Sequence, residues 1–210
     1  MVSDALTFAH RFIPGEGGRV LLLLHGTGGD EDDLLPFGHK LDPHAALLSP
    51  RGQVLERGMP RFFRRLAEGV FDEADLHART ADLARFIEQA IEHYGLTGRP
   101  VTAAGFSNGA NIAASVLLSN PGLLHSALLF RAMVPFQPAS KPVLTGTLVR
   151  IGGGLHDPIV PRENTERLAR LLEDAGADVT LDWRNAGHGL ASGEVESARD
   201  WLAELSGPTR

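Results

Sequence analysis

The chain has 210 residues, 20 Lys and Arg against 26 Asp and Glu for a formal charge of -6, and no cysteine. That length fits one domain over residues 1–210, because a chain of this size buries about 70% of the surface its unfolded form exposes, and a second catalytic domain has no room. Absence of cysteine excludes disulfides, thiolate metal sites and a cysteine nucleophile, and the acidic balance argues against a general binder of nucleic-acid phosphates.

In chain order, the N-terminal residues lack a basic stretch followed by an apolar one, and the longest strongly apolar run, residues 20–24, is far shorter than the ~20 residues that span a bilayer. A cytoplasmic protein without membrane insertion is therefore expected. Short apolar runs bounded by Gly, Pro or Asp read as strands over residues 7–13, 19–25 and 45–49. The second runs into Gly26-Thr27-Gly28-Gly29, a glycine-rich turn whose amides suit a developing oxyanion. Glu31 stands where a third glycine of a dinucleotide loop belongs, and no P-loop motif occurs. The acidic run after the turn lacks the spacing of a calcium loop and reads as a helix start, with Asp30 as N-cap and Glu31, Asp32 and Asp33 against the helix dipole. Over residues 51–70, Met59, Phe62 and Phe63 offer apolar surface among Arg57, Arg61, Arg64 and Arg65. These three are taken as the cover of a substrate pocket, with plain core as the competing role for the two phenylalanines. A short Arg and Phe interleaving in an acidic chain reads as surface ion pairs rather than a nucleic-acid patch, although a pocket that tolerates an anion also fits. From Asp72, apolar Leu83, Phe86, Ile87, Ala90, Ile91 and Tyr94 recur at helical spacing until Gly95 stops the helix.

The next strand, residues 101–106, ends in Gly105-Phe106-Ser107-Asn108-Gly109, with a helix beginning at Asn108 or Gly109. A serine on such a strand-to-helix turn is held in a strained conformation that projects its hydroxyl, and the flanking glycines permit the close approach of strand and helix. A serine capping an ordinary βα helix is the plainer alternative. The hydroxyl is a weak nucleophile without a base held by a third group, in the chain order Ser, acid, His. After the strand at 126–130, residues 131–146 are too few for an inserted cap domain, so a fairly open pocket with Met133 beside the strand end is expected. A strand at 147–151 leads into a loop carrying Asp157. A helix follows with Leu168, Leu171 and Leu172, framed by Pro161 at N1 and Gly176. A strand at 179–183 leads into Asn185-Ala186-Gly187-His188-Gly189, and Val195, Ala198, Leu202 and Leu205 mark the last helix. The alternation predicts a mostly parallel sheet covered on both faces, and Ser107, Asp157 and His188 all follow strand carboxyl ends, where such sheets bind ligands. Asp182 inside a strand and Glu163 inside a helix are weaker acids for the role, and His156 is assigned a structural or rim role. The expected oxyanion donors are the backbone amides of Thr27 and Asn108. With no cysteine and no clustered His and carboxylate set, neither a metal nor a cofactor is expected.

Taken together, LLLLHGTGGDEDDL (21–34), SPRG (49–52), MPRFFRR (59–65), GFSNGANIAAS (105–115), HDPIVP (156–161) and NAGHGL (185–190) resemble the phospholipase/carboxylesterase group of α/β hydrolases. These are relatives of the acyl-protein thioesterases and include bacterial serine esterases associated with hydroquinone resistance. The resemblance spans about residues 19–202. It implies an α/β-hydrolase fold of about seven strands without a large cap domain, with Ser107, Asp157 and His188 matching the triad and Thr27 and Asn108 the oxyanion positions. The thioesterases usually read Ser-Gln-Gly-Gly where this chain has Ser107-Asn108-Gly109-Ala110, which weakens a claim to lipidated-protein substrates. The expected activity is a metal-free serine carboxylesterase acting on short to medium acyl esters of small molecules, with a homodimer compatible. A thioesterase or lysophospholipase with the same machinery, and a non-catalytic scaffold binding a small molecule, are the competing readings.

Overall fold

In the computed structural model, which describes residues 6–205, the elements in chain order are β1 (His10–Ile13), β2 (Val20–Leu24), α1 (Leu35–Leu41), β3 (Ala46–Pro50), β4 (Val54–Glu56), β5 (Met59–Arg61), β6 (Arg65–Ala67), β7 (Val70–Phe71), α2 (Glu73–His93), β8 (Val101–Phe106), α3 (Asn108–Ser119), β9 (Ser126–Phe130), β10 (Leu148–Gly154), α4 (Arg162–Asp174), β11 (Asp178–Arg184) and α5 (Glu194–Glu204). The expectation of one domain over 1–210 also spans residues 1–5 and 206–210, which lie outside the described residues. Seven strands form one sheet in the order β1-β3-β2-β8-β9-β10-β11. β1 runs antiparallel to β3 and every other pairing is parallel.

Because successive strand residues face opposite sides, the apolar runs feed two layers. Val20, Leu22, Leu24, Ala103, Leu129, Val149 and Ile151 face a core shared with Phe86 and Ile87 of α2, Ile112 and Val116 of α3 and Leu168 and Leu172 of α4. Leu21, Leu23, Leu47, Ala104, Leu128 and Phe130 face the other, smaller core with Leu41 of α1 and Ala198 and Leu202 of α5. The result is the α/β-hydrolase arrangement of helices on both faces, and residues 131–146 carry no helix, strand or cap. No helix among the described residues is long and apolar enough to cross a membrane.

The expected strand at 7–13 begins only at His10, because its partner β3 ends at Pro50. Phe8 instead buries its ring 5.0 Å from that of Phe86. β10 is longer than its apolar run and continues through Gly152, Gly153 and Gly154, which pair with Asp182, Trp183 and Arg184 of β11. A side chain on Gly153 would meet the Trp183 ring at 2.5 Å and one on Gly154 the Gly187 carbonyl at 2.3 Å, so strand and loop approach too closely for anything but glycine.

Two expectations about helix starts are corrected. Asp30 caps no helix, since α1 begins at Leu35 with Leu34 at the N-cap. Pro36 lacks an N–H and fits only the first turn, whereas a helix begun at Asp30 would place it in the interior. Asp30 instead accepts from the Asp32 amide, Asp32 pairs with Arg11, and Glu31 turns inward against Arg51. Pro161 is the N-cap of α4 rather than its first residue. Residues 51–70, which carry no periodic signal, form two small hairpins, β4–β5 and β6–β7. The first turns at Arg57 and Gly58, both with positive φ.

Candidate active site

Ser107 sits between β8 and α3 with φ 51° and ψ -112°, a strained conformation for a side-chain-bearing residue that costs roughly 1–3 kcal/mol. Neighbouring strands enforce it. The Ser107 amide donates to the Phe130 carbonyl at 2.8 Å, and a side chain on Gly109 would meet the Leu24 carbonyl oxygen at 2.0 Å. The hydroxyl is thereby presented at the end of the sheet's centre, where β8 lies between β2 and β9.

His188, from the loop after β11, brings Nε2 to 2.9 Å from Ser107 Oγ and Nδ1 to 2.8 Å from Asp157 Oδ2. Oδ2 is a carboxylate oxygen and can only accept, so Nδ1 carries the proton and Nε2 of the neutral ring offers its lone pair to the serine hydroxyl. The Asp157 side chain is 1% exposed, and its other oxygen accepts the amides of Ile159 at 2.8 Å and Val160 at 3.0 Å. Both oxygens are thus committed, which fixes the carboxylate plane against the ring. Asp182 lies elsewhere, bonded to Arg150 and Arg184. His156 joins two loops through a bond to Asn185 Oδ1 at 2.8 Å.

Thr27 and Asn108 both line the same cavity, and the backbone amide of neither donates to a backbone carbonyl among the described residues. Asn108 opens α3, whose first amides have no intrahelical acceptor. Contacts that the sequence does not reveal hold these two segments. Arg61 donates to Thr27 Oγ1 at 2.7 Å, Gly28 N–H donates to the Pro60 carbonyl at 2.9 Å, and Asn108 Oδ1 accepts the Phe62 amide at 2.7 Å. His25 donates from Nδ1 to the Gly26 carbonyl at 2.6 Å and accepts the Gly52 amide at Nε2, and burial pushes its pKa below the ordinary value. Such tertiary partners leave no periodic trace in the sequence.

The cavity holds about 300 Å³ and is walled by Phe71, Phe106, Met133, Ile159 and Val160 with Arg61 and Arg65. Of the four residues expected to form the pocket, Met133 lines it. Phe62 and Phe63 do not. They are 2% and 0% exposed in the larger core, Phe62 packed 4.7 Å from the His25 ring and Phe63 5.0 Å from Phe71. The Asn108 bond to the Phe62 amide and the close passage of Gly52 against Arg61 draw this segment inward. Met59 packs beside Gly28, partly exposed, and does not line the cavity. Both arginines share Glu56, whose carboxyl the Arg65 guanidinium holds below the usual range. Among the described residues no group of three or more His, Asp or Glu side chains is placed to hold a metal ion.

Residues 16–206 match the model of the Phospholipase/Carboxylesterase family. The chain is 49% identical over 195 residues to MhqD of Bacillus subtilis (strain 168), which is named as a hydrolase, covering 93% of this chain and 98% of that one. It superposes on the crystal structure of the Bacillus cereus carboxylesterase with a TM-score of 0.92 at 48% identity over 96% of both chains. On the carboxylesterase of Mesorhizobium loti the TM-score is 0.89 at 31% identity, over 96% of this chain and 97% of that one. With an α/β-hydrolase sheet, a serine elbow and this extent of likeness, the chain belongs to the Phospholipase/Carboxylesterase family and is a serine hydrolase.

Proposed function

We propose that this hydrolase is a carboxylesterase that cleaves short to medium acyl esters of small molecules through an acyl-enzyme on Ser107. The observation that carries the reading is the hydrogen-bonded run from Ser107 Oγ through His188 to Asp157 beside a partly apolar cavity. Ser107 Oγ attacks the ester carbonyl carbon while His188 Nε2 takes its proton, and Asp157 stabilises the imidazolium. The carbonyl oxygen becomes an oxyanion facing the Thr27 and Asn108 amides. On collapse the ester C–O bond breaks, the imidazolium protonates the leaving alkoxide, and the alcohol departs. Water, deprotonated by His188, then attacks the acyl carbon and releases the acid and the serine. The reading includes no metal, cofactor, nucleic acid or membrane insertion, and it accommodates a cytoplasmic protein and a homodimer.

A cavity of about 300 Å³ supports acyl groups of modest length. Each methylene that finds apolar contact contributes up to ~0.8 kcal/mol, so p-nitrophenyl ester rates rise over the first few carbons, peak between acetate and about hexanoate, and fall by palmitate. The test is Ser107 itself. A fluorophosphonate adds one equivalent to the wild type by intact mass, and S107A neither takes the label nor hydrolyses ester. An S107A variant with near-wild-type hydrolysis removes the mechanism. A wild type that neither labels nor turns over any acyl ester favours a binding scaffold, and a preference for long acyl thioesters favours the thioesterase reading.

A further inference from the structure

Arg131 follows β9 with φ 58° and, together with Glu194 at the start of α5, is completely buried. All five of its guanidinium N–H donors are used. Nη1 donates to Glu194 Oε1 at 2.7 Å and to the Gly152 carbonyl at 3.1 Å, and Nη2 donates to Glu194 Oε2 at 2.9 Å. The remaining two reach the loop that carries the base, with Nη2 on the Gly189 carbonyl at 2.7 Å and Nε on the Gly187 carbonyl at 3.2 Å. Glu194 also accepts the Ala191 amide at 2.8 Å. The guanidinium therefore grips the backbone immediately before and immediately after His188, and its carboxylate partner holds the same loop two residues further on.

We propose that Arg131, aimed by Glu194, is the positioning residue that sets the His188 ring on the line between Ser107 and Asp157. The inference rests on the reading of His188 as the base. A histidine flanked by Gly187 and Gly189 has unusual backbone freedom, while proton transfer requires contacts of ~2.6–3.2 Å. Stability alone gives no reason to retain the pair, because a buried ion pair is often replaceable by apolar residues without loss. Geometry does. A planar fork spans two carbonyls and a carboxylate at once, and the single ammonium of lysine cannot. Gly152 leaves the room this requires, since a side chain there would meet Glu194 Oε1 at 2.6 Å.

The test is R131K, which keeps the charge opposite Glu194 and gives up the fork. With fold checked by circular dichroism and assays run well below the midpoint of unfolding, kcat falls by ~10²-fold while KM stays within about threefold. Fluorophosphonate labelling of Ser107 slows by a similar factor but reaches the same final stoichiometry. D182N, which breaks another partly buried ion-pair cluster, lowers stability without changing kcat. Arg131 also borders the cavity, so a raised KM with unchanged kcat would make it a substrate contact and overturn the proposal. A folded R131K with wild-type kcat and labelling rate overturns it as well. If R131K does not fold, E194Q decides: a fall in kcat of ~10-fold at unchanged KM supports the clamp, and wild-type kcat refutes it. A wild type that fails to label at Ser107 sinks the underlying reading instead, so the two failures are told apart.

Discussion

Asp157 has one oxygen on two backbone amides and the other on His188 Nδ1, and that division of labour makes a sharp prediction for the conservative change. D157N retains an oxygen for the amides but presents an NH2 to the ring. His188 must then carry its proton on Nε2, where it blocks acceptance from Ser107. By analogy with the chymotrypsin-type triad, kcat falls by up to ~10⁴ with little change in KM. D182N, whose carboxylate pairs with Arg150 and Arg184, changes kcat by less than about twofold. Steady-state kinetics on both variants checks the assignment, and it fails if the two exchange severity. At Thr27 the proposed donor is backbone, while the hydroxyl accepts from Arg61. T27A removes only that support and costs less than about tenfold. T27P deletes the amide and lowers kcat by ~10² or more with the fold intact by circular dichroism. Equal damage from both would assign the work to the hydroxyl.

At the scale of elements, the hairpin segment between β3 and α2 acts as a brace. Arg61, Pro60 and Phe62 reach the Gly26–Gly29 turn and the elbow, while Phe63 fills the larger core. A core role and a pocket role predict opposite outcomes. F63A loses about 3–5 kcal/mol of stability, as deletion of a buried phenyl ring does, and keeps the wild-type ranking of acyl chain lengths. I159A, at a half-buried cavity wall, shifts that ranking at small cost in stability. Denaturant unfolding together with an ester panel separates the two, and a changed ranking in F63A alone would return Phe63 to the pocket.

For the whole molecule, two groups near the Gly26–Gly29 turn contribute to the acid side of stability. The Arg51 guanidinium holds the Glu31 carboxyl at about 2, against an ordinary 4.5. Its contribution is complete above pH 4.5 and is lost as pH falls from there toward 2, where the folded protein finally takes up the proton. Burial holds His25 below its ordinary 6.5, so below that pH the unfolded chain binds a proton that the folded one refuses. The His25 contribution to stability therefore starts to fall near pH 6.5, and the Glu31 contribution adds to that loss below 4.5. E31Q is less stable than wild type at pH 7, and its midpoint of thermal unfolding falls less between pH 4.5 and 2.5. An E31Q profile parallel to wild type over that range would show that the Arg51 pair does not set it.

Much of this architecture was legible in the one-dimensional pattern because it depends on local chemistry. Apolar runs such as residues 20–24 and 126–130, short and bounded by turn residues, favour a buried strand, and side chains on Gly105 or Gly109 would collide with the backbone of Ala110 or Leu24, so the elbow here needs both glycines. The order of strand ends carried Ser107, Asp157 and His188 to one rim, because parallel strands deliver all their carboxyl ends to the same edge. The orientation of Phe62 and Phe63, the inward turn of Glu31 and the strand conformation of Gly152 to Gly154 depended on partners far along the chain: Asn108 for the first, Arg51 for the second and the β11 backbone for the third. Arg131 and Glu194 are 63 residues apart, so no spacing rule joins them. Local sequence determined the main strands of the large sheet, the long helices and the elbow, since those depend on neighbours within a few residues. Tertiary structure alone decided which side chains face the cavity and which hold its loops, because a buried polar group takes whichever distant partner satisfies its hydrogen bonds.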